Sequence, residues 1–241
     1  MIVAAHQPGY LPWLGYFDKI ARADVFVLLD DVQYEAQNFQ NRNRVKVNNG
    51  VHWLTVPLVR RGRDERIADK LIADHGDGRN HWRRRTWGTL LLHYRRAPYF
   101  ARYSEPLKEV FSRPWERLVE LDRRLIELIM GWLGIATPLV MGSSLELSGQ
   151  KTDRILDFCR RLEATHYLSG SGASTGYLEV PKLHKAGIEV VWQRFEHPVY
   201  PQRYSALGFI PHLCALDLLF NCGPAAAKWF RVPSWSRAGG G

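Results

Sequence analysis

Cysteine is scarce in this chain: Cys159, Cys214 and Cys222 are the only three among 241 residues. An odd, widely spaced set argues against a disulfide framework and fits a reducing compartment. His212 lies close to Cys214 and Cys222, but the spacing matches no zinc knuckle. The thiols read instead as buried and inert, and no metal is expected. No apolar run approaches the roughly 20 residues that a membrane span requires. Met1–His6 carries neither the basic region nor the apolar stretch of a secretory signal, so a cytoplasmic protein is expected. Walker A, Gly-rich dinucleotide and HExxH patterns are missing, which removes the usual signals for P-loop, nicotinamide and zinc-protease chemistry. Internal repeats and linker-like stretches are absent as well.

Apolar residues make up 46% of the chain and charged residues 24%, ordinary globular values that allow a sizeable core. The formal charge is +9. Basic clusters recur at Arg60-Arg61, Arg83-Arg84-Arg85, Arg95-Arg96, Arg123-Arg124 and Arg160-Arg161. They read first as solvated helix faces and second as attraction for a phosphorylated partner. No helix-turn-helix, RNA-binding-domain or zinc-finger signature accompanies them, so nucleic acid is the weaker reading.

Ile2–Ala5 is a short apolar run ending at the polar turn His6-Gln7-Pro8-Gly9, the pattern of a buried strand followed by a loop. Leu11–Ala21 has helical spacing with Pro12 in its first turn. Asp24–Asp31 is an unbroken apolar strand, which completes a βαβ unit. Alternation on both sides of Asn48-Asn49-Gly50 predicts a β-hairpin. Helices are expected at about 80–96, 104–112, 114–133, 152–162 and 180–186, with a last one beginning near Pro211. Ser112 before Pro114 is the expected cap of the third. Strands are expected at 67–72, 139–141, 165–168 and 188–195. The fold class that follows is α/β: an open, mostly parallel sheet flanked by helices in a Rossmann-like three-layer arrangement. It carries an inserted hairpin and a helical insertion at about 80–133. One domain over 1–230 and a tail over 231–241 are expected.

In open parallel sheets, ligands bind outside the carboxyl ends of the strands. That rule collects His6, the pair Asp30 and Asp31, Gly142-Ser143-Ser144, Ser169-Gly170-Ser171-Gly172 and the loop Glu196-His197-Pro198 at one edge. His6 and His197 can exchange a proton near neutral pH. Only one of Asp30 and Asp31 should face the site, because neighbouring strand residues point to opposite sides. Arg42 sits among Asn38, Asn41 and Asn43, and its fork suits carboxylate or phosphate. The Ser-Gly loop offers a backbone nest for an anion, with Tyr177 placed to close over it. Each of these features also has a structural reading, as core histidine, helix cap, Asn-rich turn or surface corner.

The motif His6-Gln7-Pro8-x-Tyr10-Leu11-Pro12-Trp13-Leu14-Gly15-Tyr16-Phe17-Asp18-Lys19-Ile20 resembles the opening signature of WbqC-like proteins. Asp30-Asp31-Val32-Gln33-Tyr34, Asn41-Arg42-Asn43, Tyr167-Leu168-Ser169-Gly170, His197-Pro198-x-Tyr200-x-Gln202 and Leu216-Asp217-Leu218-Leu219-Phe220-Asn221 continue it, so that the resemblance spans roughly residues 2–224. It implies a place in O-antigen, polysaccharide or natural-product biosynthesis and an aminoacyl, glycyl-type transfer onto sugars. The implied partners are a small-molecule acceptor and an anionic or phosphorylated acyl donor, such as coenzyme A, a carrier protein or aminoacyl-tRNA. The catalytic residues expected on this reading are His6, Asp30, Asp31 and His197. Substrate contacts are expected from Gln7, Tyr10, Trp13, Lys19, Gln33, Asn41, Arg42, Asn43, Ser169, Gly170, Tyr177, Tyr200, Gln202 and Asn221. A non-catalytic binding module is the alternative. The opening strand-His-helix pattern is also similar to nucleotidyl transferases of the HIGH type, although their paired His-x-Gly-His is reduced to one His.

Overall fold

The computed structural model describes residues 1–60, 62, 64–74, 81–170, 172 and 176–230. Ser171 of the Ser-Gly loop and the tail at 231–241 lie outside them. In chain order the elements are β1 (Ile2–His6), α1 (Leu14–Ala21), β2 (Val25–Leu28), β3 (Arg42–Val47), β4 (Gly50–Thr55), α2 (Trp82–Tyr94), α3 (Phe100–Ser112) and α4 (Leu118–Leu133). There follow β5 (Leu139–Met141), α5 (Thr152–Arg161), β6 (His166–Ser169), α6 (Val180–Lys185), β7 (Glu189–Trp192) and α7 (Ala215–Cys222). Five strands form one sheet in the order β5-β2-β1-β6-β7, and every neighbouring pair is parallel.

Strand periodicity explains the three layers. Ala4 is in register with Phe26 and Leu168, and all three join one apolar cluster with residues of α1, α7 and α2–α4. Val3, Ala5, Val27 and Tyr167 alternate with them and enter a second cluster with Ile155, Phe158 and Leu183 of α5 and α6. Successive side chains point to opposite faces, so a strand read as continuously apolar is one covered on both sides. Phe26 is fully buried, and its removal from water contributes roughly 2–3 kcal/mol.

The expected hairpin is β3–β4, antiparallel, with Val47 opposite Gly50. Gly50 has φ 128°, a conformation open to glycine. Helices α2–α4 occupy the expected insertion between β4 and β5. α4 ends at Gly134, whose left-handed φ of 71° caps the helix.

Several boundaries differ from the sequence pattern for local reasons. α1 starts at Leu14, because buried Leu11 takes a left-handed φ of 47° and Pro12 precedes the helix. Ser112 closes α3 and does not cap α4, which begins after a turn held by Trp115 Nε1 donating to Val110 O at 2.8 Å. Residues Ile67–Asp69 make a 3-10 turn, where a strand was expected. The last helix begins at Ala215, after a segment bridged to the β1–α1 loop by Trp13 and Cys214.

Candidate functional site at the strand ends

A parallel sheet places all carboxyl ends on one edge. From β1 the chain steps outward through β2 to β5, then returns to β6 on the other side of β1 and continues to β7. The reversal falls between β1 and β6, the position where open α/β sheets form their ligand crevice. His6 ends β1 and Ser169 ends β6.

His6 is solvent-exposed. Its Nδ1 lies 3.0 Å from Gln7 O. A carbonyl only accepts, so Nδ1 carries the proton and Nε2 presents its lone pair. Tyr16 packs edge-on against the ring at 5.1 Å and donates to the same Gln7 oxygen at 3.2 Å. Surrounding protein and the neighbouring charge of Lys19 lower the imidazole pKa toward about 4, against the Gln7 hydrogen bond, which raises it. The open face of the ring moderates the size of this drop and leaves its direction intact. His6 is therefore a neutral imidazole at pH 7.

Lys19 lies beneath it. All eight residues of α1 are buried, two of them charged. Asp18 is engaged by Arg22 Nε at 2.9 Å and by Gln193 Nε2 at 2.8 Å. Lys19 is 4% exposed and donates to Ala5 O at 2.8 Å. No carboxylate pairs with it among the described residues. Burial lowers its pKa to about 8. A Cβ placed on Gly170 would stand 3.9 Å from its Nζ, so the glycine after β6 borders the ammonium with no side chain of its own. Ser169 is fully buried and its Oγ turns to Gly170 O at 3.4 Å.

The two aspartates lie at the same edge and are engaged. Asp30 accepts from Ser143 N at 2.8 Å and Ser143 Oγ at 2.7 Å, which ties the end of β2 to the turn after β5. Asp31 pairs with Arg154 of α5. Both lie beyond the end of β2, and both carboxylates act as clamps. His197 is also spoken for: Nδ1 donates to Pro198 O at 2.9 Å and Nε2 accepts from His212 N at 3.2 Å. Burial lowers its pKa, opposed by the Pro198 bond and aided by His212. Its ring sits with Phe195, Phe209 and His212, and Trp13 joins this aromatic group through Phe195 and His212.

Tyr200, Gln202 and Asn221 gather away from His6, around Asp217. This carboxylate is fully buried and accepts from Tyr94 at 2.7 Å, Tyr200 at 2.9 Å and Gln202 at 2.9 Å. Burial raises its pKa while those bonds and Lys46 oppose the rise. Lys46 of β3 reaches Gln202 Oε1 at 3.2 Å, and Asn221 donates to Asp217 O at 2.7 Å. Asn41 and Asn43 fasten the hairpin: Asn41 donates to Val56 O, and Asn43 to Leu11 O, both at 2.8 Å. Gln7 accepts from Gln40 at 2.8 Å. Tyr10 is wholly buried beside the same loop. Arg42 bonds Gln37 O and stacks 4.6 Å over Trp53 on the exposed face of the hairpin. Gln33 is exposed and bonds Asp64 at 3.3 Å. Tyr177 is 39% exposed and its carbonyl accepts from Thr152.

Of the expected set, then, His6, Lys19, Ser169 and Gly170 meet at the crevice, with the backbone of Gln7. Tyr16, three residues before Lys19 on the same helix face, belongs with them and was not singled out. Its signal was available, since residues three apart on a helix are neighbours. Gly172-Ala173-Ser174-Thr175-Gly176 spells G-x-S-x-G, but Ser174 lies outside the described residues. A cleft of about 390 Å³ opens elsewhere, between β4 and α2. Its His81 faces Asp74 at 2.5 Å, and its Trp82 donates to the same carboxylate at 3.0 Å. Among the described residues no three His, Cys, Asp or Glu are grouped to hold a metal, and no helix is long and apolar enough to cross a membrane. Cys159 and Cys214 are buried, with thiol pKa values pushed up to about 12 by burial.

The model of the WbqC-like protein family matches residues 7–229. The chain belongs to that family. An uncharacterized protein, Rv1507c of Mycobacterium tuberculosis (strain ATCC 25618 / H37Rv), is 37% identical over 233 residues, 95% of this WbqC-like chain and 97% of the relative. No solved structure matches. In this family member the long N-terminal motif therefore supplies one element of the crevice, the β1–α1 unit. The His-Pro-x-Tyr-x-Gln and Leu-Asp-Leu-Leu-Phe-Asn motifs meet in the Asp217 network.

Proposed function

We propose that the chain is a biosynthetic transferase that moves an acyl or aminoacyl group, of the glycyl type, onto an amine or hydroxyl of a sugar or natural-product intermediate. The observation that carries the reading is His6: an exposed imidazole, neutral at pH 7, with Nδ1 fixed on a carbonyl and Nε2 available at the topological switch point. A base so held accepts the proton of the attacking N–H or O–H as the nucleophile bonds to the acyl carbon. The imidazolium then returns that proton to the leaving group as the tetrahedral adduct collapses. Asp30, Asp31 and His197 hold the surrounding loops in this scheme. The aromatic group at Trp13 and His212 supplies an apolar wall for the acceptor.

The test is incubation of the purified chain with aminoacyl and acyl donors (coenzyme A thioesters, carrier-protein thioesters, aminoacyl-tRNA) and amino sugars, read by mass spectrometry. Product with the wild type and a loss of 10²-fold or more in His6→Asn is expected for removal of a general base. Equal rates in the two proteins would refute the assignment. Nucleotidyl transfer is the second reading, favoured by the strand order, which is that of nucleotide-binding sheets. Release of pyrophosphate from a nucleoside triphosphate would select it.

A further inference from the structure

A buried ammonium without a counter-charge is an electrostatically favourable seat for an anion. In ordinary proteins, charged groups so deeply buried are paired. α1 illustrates the rule and its exception on adjacent residues. Asp18 has Arg22 and Gln193. Lys19 has three protons and a single acceptor, the peptide oxygen of Ala5. The side chain is 4% exposed, so bulk water does not solvate the remaining protons. Gly170, at the carboxyl ends of β1 and β6, borders the ammonium without a side chain. His6, the last residue of β1, is exposed at the same edge, and its ring lies within the field of the ammonium.

From this arrangement we infer that the crevice binds a phosphoryl group, seated on Lys19 Nζ in the space left by the missing side chain of Gly170, and that the ligand of this site is a phosphate-bearing molecule. The inference rests on the His6 crevice being the ligand site and identifies the anionic part of the donor. Lysine serves phosphate as a point charge. Its low solvation here makes an incoming dianion the partner that restores its favoured charged state. His6 is the titratable group that shares its field, and it is neutral over the relevant range. Asp18, the carboxylate next to it in sequence, is held by Arg22 and Gln193 on another face of α1.

Calorimetric titration of the full chain with inorganic pyrophosphate at pH 7 tests the site. One saturable site is expected, weakened at least tenfold in Lys19→Met and unchanged in Lys108→Met, which removes an exposed cation of α3. Gly170→Ala keeps every charge, and its methyl would stand against the ammonium. It too should weaken binding, by about the same factor. Sulfate, whose charge is constant between pH 6.5 and 9.5, should lose affinity as pH rises through about 8 in the wild type, the range in which Lys19 deprotonates. This arm needs no variant to fold. Undiminished binding by Lys19→Met, an equal loss in Lys108→Met, a pH-independent sulfate affinity, or no saturable site at all would each overturn the proposal. Pyrophosphate bound through Lys19 with no acyl product leaves the anion subsite standing and removes the transferase reading. Acyl product formed undiminished by Lys19→Met does the reverse.

Discussion

Replacing Lys19 by methionine should make the protein more stable at pH 7, and the gain should shrink in alkali. The lysine pKa falls from 10.5 in the unfolded chain to about 8 in the fold because burial disfavours its charged form. That fall corresponds to roughly 3 kcal/mol of folding free energy lost at pH 7, where both states carry the proton. Methionine has a similar unbranched shape and no charge to bury. It abandons the hydrogen bond to Ala5 O, which costs about 1–2 kcal/mol when the acceptor is left unpaired. The net expectation is a gain of about 1–2 kcal/mol, or about 2–8 °C in Tm for a chain of this size. The pH dependence has a definite sign. Between pH 8 and 10.5 the unfolded chain binds the Lys19 proton and the folded one does not, so wild-type stability rises with pH there. At pH 9.5 the burden has fallen by about 2 kcal/mol, which removes the advantage of the methionine variant. Urea denaturation of both proteins at pH 7 and 9.5 measures the difference directly. A variant less stable at pH 7, or a gap that does not change with pH, would show that Lys19 is not a strained buried cation and would remove its case as an anion seat.

Four further outcomes are expected. The acid limb of the pH–rate profile should lie below the ordinary histidine value of 6.5, because the surrounding protein and Lys19 lower the His6 pKa, and Lys19→Met should move that limb upward; an unmoved limb would uncouple the two groups. Asp217→Ala should cost about 3 kcal/mol or more in a denaturant melt, since Tyr94, Tyr200 and Gln202 all lose an acceptor in the core; a loss under about 1 kcal/mol would contradict the network. Asp122 of α4 is fully buried, neither oxygen has a partner among the described residues, and burial holds its pKa well above the carboxylate range. Its folded form keeps a proton that the unfolded chain releases above pH 4, so wild-type stability relative to Asp122→Leu should fall as pH rises from 4 to 7, and a rising difference would refute the assignment. Asp30→Ala should lower stability by about 1–3 kcal/mol through Ser143 and leave the His6 pH limb in place, whereas a shift of that limb would give Asp30 a part in the site.

The strand-ends rule gathered these residues at one edge because parallel strands leave little freedom: once Ile2–Ala5, Val25–Leu28 and Tyr167-Leu168 are read as doubly buried strands, their carboxyl ends share an edge. Register needed no turn chemistry, since alternate residues had to enter opposite apolar clusters. The boundaries around the first helix were less legible. Leu11 adopts a left-handed φ that sequence pattern does not announce in a leucine. It is held there by Asn43, 32 residues away, donating to its carbonyl. Helix spacing continued through Leu11 and Pro12 in the sequence and stopped at Trp13 in the fold for that reason.

The same long-range character separates the polar residues that line the crevice from those that hold it. His6 and Asp30 look alike in a one-dimensional reading: each is a titratable group at the end of a buried strand. What distinguishes them is the supply of partners, and that comes from elsewhere in the chain. Ser143, 113 residues from Asp30, consumes both of its oxygens. Arg154 takes one oxygen of Asp31 and neutralises its charge, and His212 fills the lone pair of His197. Nothing among the described residues fills Nε2 of His6 or neutralises Lys19. A buried or strand-end polar group whose bonds are complete rigidifies a fold, and one left incomplete is available to a ligand. In this chain the second description fits the β1–α1 unit, and the sequence held one local clue to it: a lysine in a helix whose eight residues are all buried, beside an aspartate that has its own partners.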